Sequence, residues 1–209
     1  MEYLFLIIIL IFSIVIHEVS HGAMAYYLGD PTAKYAGRLT LNPIKHLDPI
    51  GSVILPLFLI ISGSSFLVGW AKPVPINPYN FKDQKYGPAK TAVAGPIANL
   101  IIALFFGLLL RFLPFSGDLN SQLFYNFFVY IVQINLILAI FNLIPLPPLD
   151  GSHILFSFLP YSMENAKIFL NRWGMFILMI LIFFIPEFFG ILRQIVDLIF
   201  KIITGASFH

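Results

Sequence analysis

Long runs of apolar residues constrain this chain more than any other feature of its sequence. Several runs approach the ~20 apolar residues that a helix needs to cross ~30 Å of hydrocarbon. The runs do not alternate between apolar and polar residues, which excludes the pattern of a membrane β-barrel. Of the 209 residues, 59% are hydrophobic and only 11% are charged, which does not fit a water-soluble domain. The sequence therefore predicts an all-α polytopic membrane protein with about five to six transmembrane helices.

We assign five apolar runs to the membrane. The run at 51–70 is interrupted by proline and by a Gly-Ser-Ser cluster, so it either spans the membrane or re-enters on the side from which it came. A further segment at 188–203 is moderately amphipathic and either spans or lies along the interface. The other four runs cover 3–28, 89–113, 123–144 and 175–185.

The connections are rich in proline and glycine, which interrupt helices. Residues 35–41 could form a short strand or hairpin, and 71–90, with four prolines, is expected to form an irregular loop near the active site. Residues 154–173 are expected to be a linker. Because no repeat divides the chain, we expect a single membrane domain over 1–209, with its core at about 3–160 and C-terminal helices at 161–209.

Charge and cysteine content exclude several classes of function. A formal net charge of +2 is too small for the basic surface of a nucleic-acid-binding protein, so no nucleic-acid partner is expected. The absence of cysteine excludes disulfides, thiolate metal sites and a cysteine nucleophile. Any bound metal must therefore be held by histidine and carboxylate side chains.

The sharpest local pattern is His17-Glu18-Val19-Ser20-His21, within the first apolar run. Residues four apart on a helix lie on one face, one turn apart, so both imidazoles can reach a single ion. Glu18 then lies beside the ion, where it can accept a proton from metal-bound water. Each ionisable group at membrane depth costs about 2.5 to 3.5 kcal/mol on insertion scales, and metal coordination compensates for this cost.

Two histidines leave a catalytic zinc site short of a ligand, since such sites generally use three protein ligands and a water molecule. Asp150 is the best candidate, because it follows an apolar run whose end is unwound by the prolines of 145–148. The other candidates, His46 and His153, lie in breaker-rich segments and are expected to cap turns or face solvent.

Taken together, these residues resemble the paired signature of the site-2 protease family of intramembrane zinc metalloproteases. The compact prokaryotic members, without PDZ or CBS domains, are the most similar, and the resemblance extends over about residues 16–155. It rests on His17-Glu18-x-x-His21, Asn142-Leu143-Ile144-Pro145 through Leu149-Asp150-Gly151, Gly95-Pro96-Ile97-Ala98-Asn99 and Gly69-Trp70-Ala71-Lys72-Pro73-Val74-Pro75.

The resemblance implies a role for each matched polar residue. His17, His21 and Asp150 would bind one zinc ion per chain, and Glu18 would be the general base. Asn142 would hold the substrate or stabilise the oxyanion, and Asn99 would lie near the substrate-binding site.

The function that the resemblance implies is endoproteolytic cleavage of the transmembrane segments of other proteins. The protein would be a multi-pass protein of the cell membrane, with the lipid bilayer and a transmembrane substrate as its partners. A substrate helix must be locally unwound before cleavage. Either 35–41 or the loop after Trp70 could pair with the unwound segment by strand addition.

Alternatives remain open from the residues alone. Histidine and aspartate at membrane depth also mark ion pathways, so a metal transporter is one alternative, and a catalytically inactive membrane scaffold is another. Ser13 and Ser20 could orient an imidazole or simply pack, and Asn135 is expected to be structural. If 51–70 is a full span, the positive residues divide four against six between the two sides, so orientation stays open, as does the oligomeric state.

Overall fold

The computed structural model describes residues 2–62, 69–114 and 118–205, and its regular structure is helical, with no β-sheet among these residues. The predicted all-α class is confirmed. The helices of this described part, α1 to α8, cover Glu2–Tyr27, Thr32–Tyr35, Leu55–Ile61, Gly87–Phe112, Leu119–Asn142, Asp150–Phe158, Glu164–Phe184 and Pro186–Thr204. Short 3-10 turns cover Pro43–His46, Pro78–Asn80 and Tyr161–Met163, and a π-helical turn covers Pro49–Ile54.

Four stretches of the described helices are long and apolar enough to cross a membrane. They are Phe5–Tyr27, Gly87–Phe112, Ser121–Asn142 and Tyr161–Phe184. The first three match predicted runs closely. The additional spans of the predicted five to six stay a prediction.

The linker that we expected over 154–173 is wrong, because α6 and α7 occupy most of it. Only a short break around Pro160 separates the two helices, and a proline cannot donate the backbone hydrogen bond that a continuous helix would need. Glu164 and Lys167, one turn apart with 3.5 Å between carboxylate and ammonium, favour a helix start at this point.

Helix α4 lies at the centre of the bundle and packs against α1, α5, α6 and α8. Small residues allow this close packing: a Cβ atom at Gly107 would lie only 2.4 Å from Cγ2 of Ile203 on α8. The buried core between α4, α5 and α8 consists of Ala103, Leu110, Val132, Leu136, Val196 and Phe200. The first half of α4 packs against α1.

The two ends of the segment 51–70 are in contact. The Trp70 N–H donates to the Gly51 carbonyl at 3.2 Å, and the Ser52 hydroxyl donates to the Trp70 carbonyl at 2.7 Å. The chain therefore returns to the side of the membrane from which it left, which favours the re-entrant path over a full span. The predicted Gly-Ser-Ser break falls within 63–68, which lie outside the described residues.

The strand that we expected over 35–41 is wrong. Helix α2 ends at Tyr35, and Gly37 follows with a φ of 64°. The Gly37 N–H donates to the Lys34 carbonyl and the Arg38 N–H to the Ala33 carbonyl, both at 3.0 Å. This is the hydrogen-bond pattern of a Schellman motif, in which a glycine with positive φ closes a helix and turns the chain.

The irregular loop that we expected over 71–90 is present up to residue 86, since α4 begins at Gly87, and Asp30 holds the middle of this loop. The Asp30 carboxylate is fully buried and accepts hydrogen bonds from the Asn77 N–H at 2.7 Å and the Asn80 side chain at 2.8 Å. Burial alone would raise the pKa of Asp30, but the hydrogen bonds from Thr32, Asn80 and Asn77 lower it. The ionised carboxylate thus ties the loop to the end of α1.

Candidate metal centre

Helix α1 presents His17 and His21 on one buried face, and both side chains are oriented through their Nδ1 atoms. His17 Nδ1 donates to the Asn99 side-chain oxygen at 2.6 Å, and His21 Nδ1 donates to the Thr91 carbonyl at 2.7 Å. Because both partners are acceptors, the Nδ1 atoms carry the protons and the Nε2 atoms keep their lone pairs. Both imidazoles are therefore in the tautomer that binds a metal through Nε2.

Asp150, the first residue of α6, completes a group of three ligand atoms. Its Oδ2 atom lies 3.1 Å from Nε2 of His17 and 3.3 Å from Nε2 of His21, and the two Nε2 atoms are 3.0 Å apart. A tetrahedral zinc ion with bonds of about 2.0 to 2.1 Å separates its ligand atoms by about 3.3 Å. The three lone-pair donors thus have the spacing and the chemistry of a zinc site.

Gly95 of α4 leaves the space in which these atoms meet. A Cβ atom at this position would lie 2.5 Å from Nε2 of His21 and 2.7 Å from Nε2 of His17. No side chain can therefore occupy position 95 without displacing both imidazoles. This close approach gives Gly95, in the Gly95-Pro96-Ile97-Ala98-Asn99 element, a physical reason to be glycine.

A tight turn between α5 and α6 positions Asp150. A Cβ atom at Gly151 would lie 2.3 Å from the Leu143 carbonyl oxygen and 2.4 Å from that of Ile144. The proline-rich segment can therefore fold back closely on the end of α5 only because residue 151 is glycine. This turn brings the carboxylate of Asp150 to the histidines of α1.

Asn99 belongs to a buried hydrogen-bond network behind His17. Its amide Nδ2 donates to Asn135 Oδ1 at 2.7 Å, and Asn135 Nδ2 donates to the Ser13 hydroxyl at 3.0 Å. Both asparagines are fully buried, so the structure places Asn99 against the imidazole and not along the cleft. Asn135, which we expected to be structural, links α5 to this network. No local sequence pattern indicated this pairing of Asn99 with Asn135.

A cleft of about 400 Å³ opens on the three ligand atoms, and Glu18 and Asn142 line it with them. Glu18 Oε2 accepts a hydrogen bond from the Val74 N–H at 2.8 Å, so the loop after Trp70 holds the glutamate. Asn142 Nδ2 donates to the Leu138 carbonyl of its own helix at 2.9 Å. The structure therefore brings together all the predicted site residues except Asn99, which lies behind His17.

Two further residues of the cleft were not predicted from the sequence. Val74 contacts Glu18 through its backbone, and its place in the loop motif was the only signal for it. Thr91 is buried in the wall, and its hydroxyl has no hydrogen-bond partner among the described residues. Of the other histidines, His46 donates from Nε2 to the Thr40 carbonyl at 2.9 Å, away from the cleft, and His153 lies exposed on the cleft lining.

A histidine pair with an adjacent glutamate on a membrane-length helix, joined by an aspartate from a separate segment, defines a membrane-embedded zinc metalloprotease. Comparison with known proteins agrees with this class. Residues 113–181 match the model of peptidase family M50. No solved structure matches the chain.

Three relatives are informative, and all are named as zinc metalloproteases. The chain is 38% identical to YwhC of Bacillus subtilis (strain 168), over 87% of this chain and 81% of that protein. It is 28% identical to Rip2 of Mycolicibacterium smegmatis, over 81% of this chain and 63% of that protein. It is also 42% identical to MJ0611 of Methanocaldococcus jannaschii, over 32% of each chain. The chain therefore belongs to peptidase family M50, the site-2 protease family, and is a zinc metalloprotease.

Proposed function

We propose that this protein is an intramembrane endopeptidase of the cell membrane that cleaves the transmembrane segments of other proteins. One zinc ion per chain is held by His17, His21 and Asp150. The observation that carries the proposal is the convergence of two Nε2 atoms and a carboxylate oxygen at 3.0 to 3.3 Å, beside Glu18, among membrane-length helices.

The protein's own residues prepare the site for the metal and the proton transfers. When bound, zinc polarises the scissile carbonyl and lowers the pKa of a bound water to about 7. Asn99 and the Thr91 carbonyl keep the proton on Nδ1 of each histidine, so that Nε2 stays free. Glu18 is not one of the three ligands, and it acts as the general base that later protonates the leaving amine.

The hydrogen bond from the Val74 N–H makes the two carboxylate oxygens of Glu18 inequivalent. Oε2 accepts the backbone N–H of the loop, which fixes the carboxylate against the cleft. The other oxygen is left to take the proton from the attacking water. We therefore assign Val74 a positioning role toward the base.

Asn142 lines the same cleft, and we assign it the role of donor to the developing oxyanion. The side-chain amide of Asn142 has two N–H groups. One donates to the Leu138 carbonyl, and the other is available to an oxyanion. An amide donor aimed at an oxyanion is worth about 2.7 to 4 kcal/mol in the transition state.

The substrate must enter this cleft as an extended chain, since helical peptide bonds are shielded by their own hydrogen bonds. The loop after Trp70 supplies Pro73, Val74 and Ile76 to the lining of the cleft. Because 35–41 is not a strand, we assign pairing with the extended substrate to this loop alone. Replacing residues 71–76 with an unrelated linker should abolish cleavage of a transmembrane peptide, and normal cleavage would contradict this assignment.

The variant Glu18→Gln tests the proposed function. Purified protein should keep one zinc ion per chain, while cleavage of a model transmembrane peptide falls by 10²-fold or more, because the base is lost. Glu187→Gln, at the exposed start of α8, is a matched control that should keep both zinc and activity. Unchanged cleavage by Glu18→Gln would contradict the assignment. Absence of cleavage by wild type, together with zinc uptake into vesicles, would favour the transporter instead.

A further inference from the structure

A second cavity of about 470 Å³ adjoins the catalytic cleft. Pro88 and His153 line both spaces, so a chain that leaves the cleft past these two residues enters the second cavity directly. Two lysines, Lys85 and Lys167, line this cavity, and no carboxylate does so among the described residues. The cavity is therefore a positively charged extension of the site.

Lys167 is half-buried where it lines the cavity. Its side chain is only 19% exposed, and the Glu164 carboxylate 3.5 Å away is itself 56% exposed. An ammonium group has three donors, and buried lysines are almost always paired. Glu164 is a single, solvated partner, and Lys167 also lines the cavity, so its ammonium group keeps donor capacity for a second carboxylate there.

Lys85, an exposed residue, provides the second positive charge of the lining. It precedes the start of α4 by two residues, and its Nζ atom lies 4.8 Å from the centre of the Tyr86 ring. Phe156 and Leu159 form an apolar part of the same lining. The cavity thus combines an apolar wall with two ammonium groups, which suits a carboxylate on a short aliphatic stem.

We propose that this cavity is a substrate subsite that selects an acidic side chain, aspartate or glutamate, close to the scissile bond. The proposal rests on the proposed function, since it requires that a peptide occupies the cleft. A peptide is favoured over a lipid headgroup because the two spaces share a wall, so the occupant of one continues into the other. The same two charges would repel a lysine or arginine at that substrate position.

The test uses the full-length, zinc-loaded protein and a series of model transmembrane peptides. Each peptide carries one glutamate at a successive position beside the scissile bond, and its partner carries glutamine there. We expect one position at which kcat/KM for the glutamate peptide exceeds that for the glutamine peptide about five-fold, mainly through KM. The double variant K85Q/K167Q should bring this ratio close to one, and K85E/K167E should reverse it in favour of a lysine peptide.

Lys90→Gln serves as the control, because Lys90 is exposed, pairs with Asp83 and lines neither space. It should keep the five-fold ratio, which separates a local subsite from the general charge of this face. Equal cleavage of both peptides at every position would overturn the subsite while leaving the proposed function intact. Inhibition by phosphatidylglycerol in phosphatidylcholine vesicles, with no peptide preference, would assign the cavity to a lipid and also overturn it. Cleavage of no peptide would overturn both proposals.

Discussion

The substitution Gly95→Ala should remove zinc binding without unfolding the protein. The added Cβ atom would lie 2.5 Å from Nε2 of His21 and 2.7 Å from Nε2 of His17, the two atoms that bind the metal. Carbon and nitrogen atoms that do not bond approach to about 3.4 Å, so each ring must move by roughly 0.7 to 0.9 Å. Zinc–ligand distances tolerate only about 0.2 Å.

The rings cannot make this movement freely. His17 is fixed by Asn99 and His21 by the Thr91 carbonyl, at 2.6 and 2.7 Å. A shift of this size therefore breaks either the zinc coordination or these hydrogen bonds. Loss of an orienting hydrogen bond alone typically lowers metal affinity by 10- to 100-fold. We expect at least a 100-fold loss of zinc affinity in Gly95→Ala. The helix itself should not suffer, because alanine is favoured over glycine inside a helix by about 0.5 to 1 kcal/mol.

The measurement is competition for zinc between the detergent-solubilised protein and a fluorescent chelator, with the circular dichroism of each variant recorded in parallel. Gly190→Ala on α8 is the matched control, because no other part of the described chain comes within 4 Å of its added Cβ. It should bind zinc like wild type. Wild-type affinity in Gly95→Ala would refute the claim that the metal lies between the two histidines and α4.

Three further changes probe the elements around the metal. Asn99→Ala should lower zinc affinity by about 10- to 100-fold, measured with the same chelator, because His17 loses its orienting acceptor. Asn142→Ala should keep zinc but lower kcat by about 10²- to 10³-fold in the peptide assay, since one oxyanion donor is lost. Asp30→Asn should speed proteolysis of the α1–α4 connection at pH 7. Since folding lowers the pKa of Asp30, its stabilisation is present above the unfolded pKa and is lost as pH falls through the lower folded value. The difference between Asp30→Asn and wild type should therefore shrink below about pH 4.

The histidine pair could be predicted from the sequence because its geometry is local. His17 and His21 are four positions apart, and the helix alone then places both imidazoles on one face. Asp150 is a different case, since 128 residues lie between His21 and Asp150. Its prediction depended on the number of protein ligands that zinc needs and on the family resemblance. Local periodicity says nothing about where such distant segments meet.

The network behind His17 shows what local patterns leave out. Asn99 and Asn135 lie on different helices, and their contact depends on the rotation of α4 and α5 about their own axes. That rotation is set by packing across the bundle, for instance at Gly107, and not by either asparagine. The missed helix end at Gly37 is a different case, because a glycine just after a short helix is a local signal that favoured a turn over a strand.

The re-entrant path of 51–70 leads to a last prediction, on membrane orientation. Because the segment returns to its starting side, the whole connection between α1 and α4 lies at one end of the bundle. Seven of the twelve Lys and Arg residues lie in this stretch, 28–90, whereas Arg111 and, beside it in the last turn of α8, Lys201 lie near the opposite end of α4. Positive residues in short connections favour the cytoplasmic side, so we expect the metal centre to open toward the cytoplasm.

Labelling of single-cysteine variants tests this orientation. Because the chain has no cysteine, any label reports the position of the introduced residue. In sealed right-side-out vesicles an impermeant maleimide should label Leu113→Cys at once and Lys82→Cys only after permeabilisation, and the opposite pattern would show that the protein is inserted the other way.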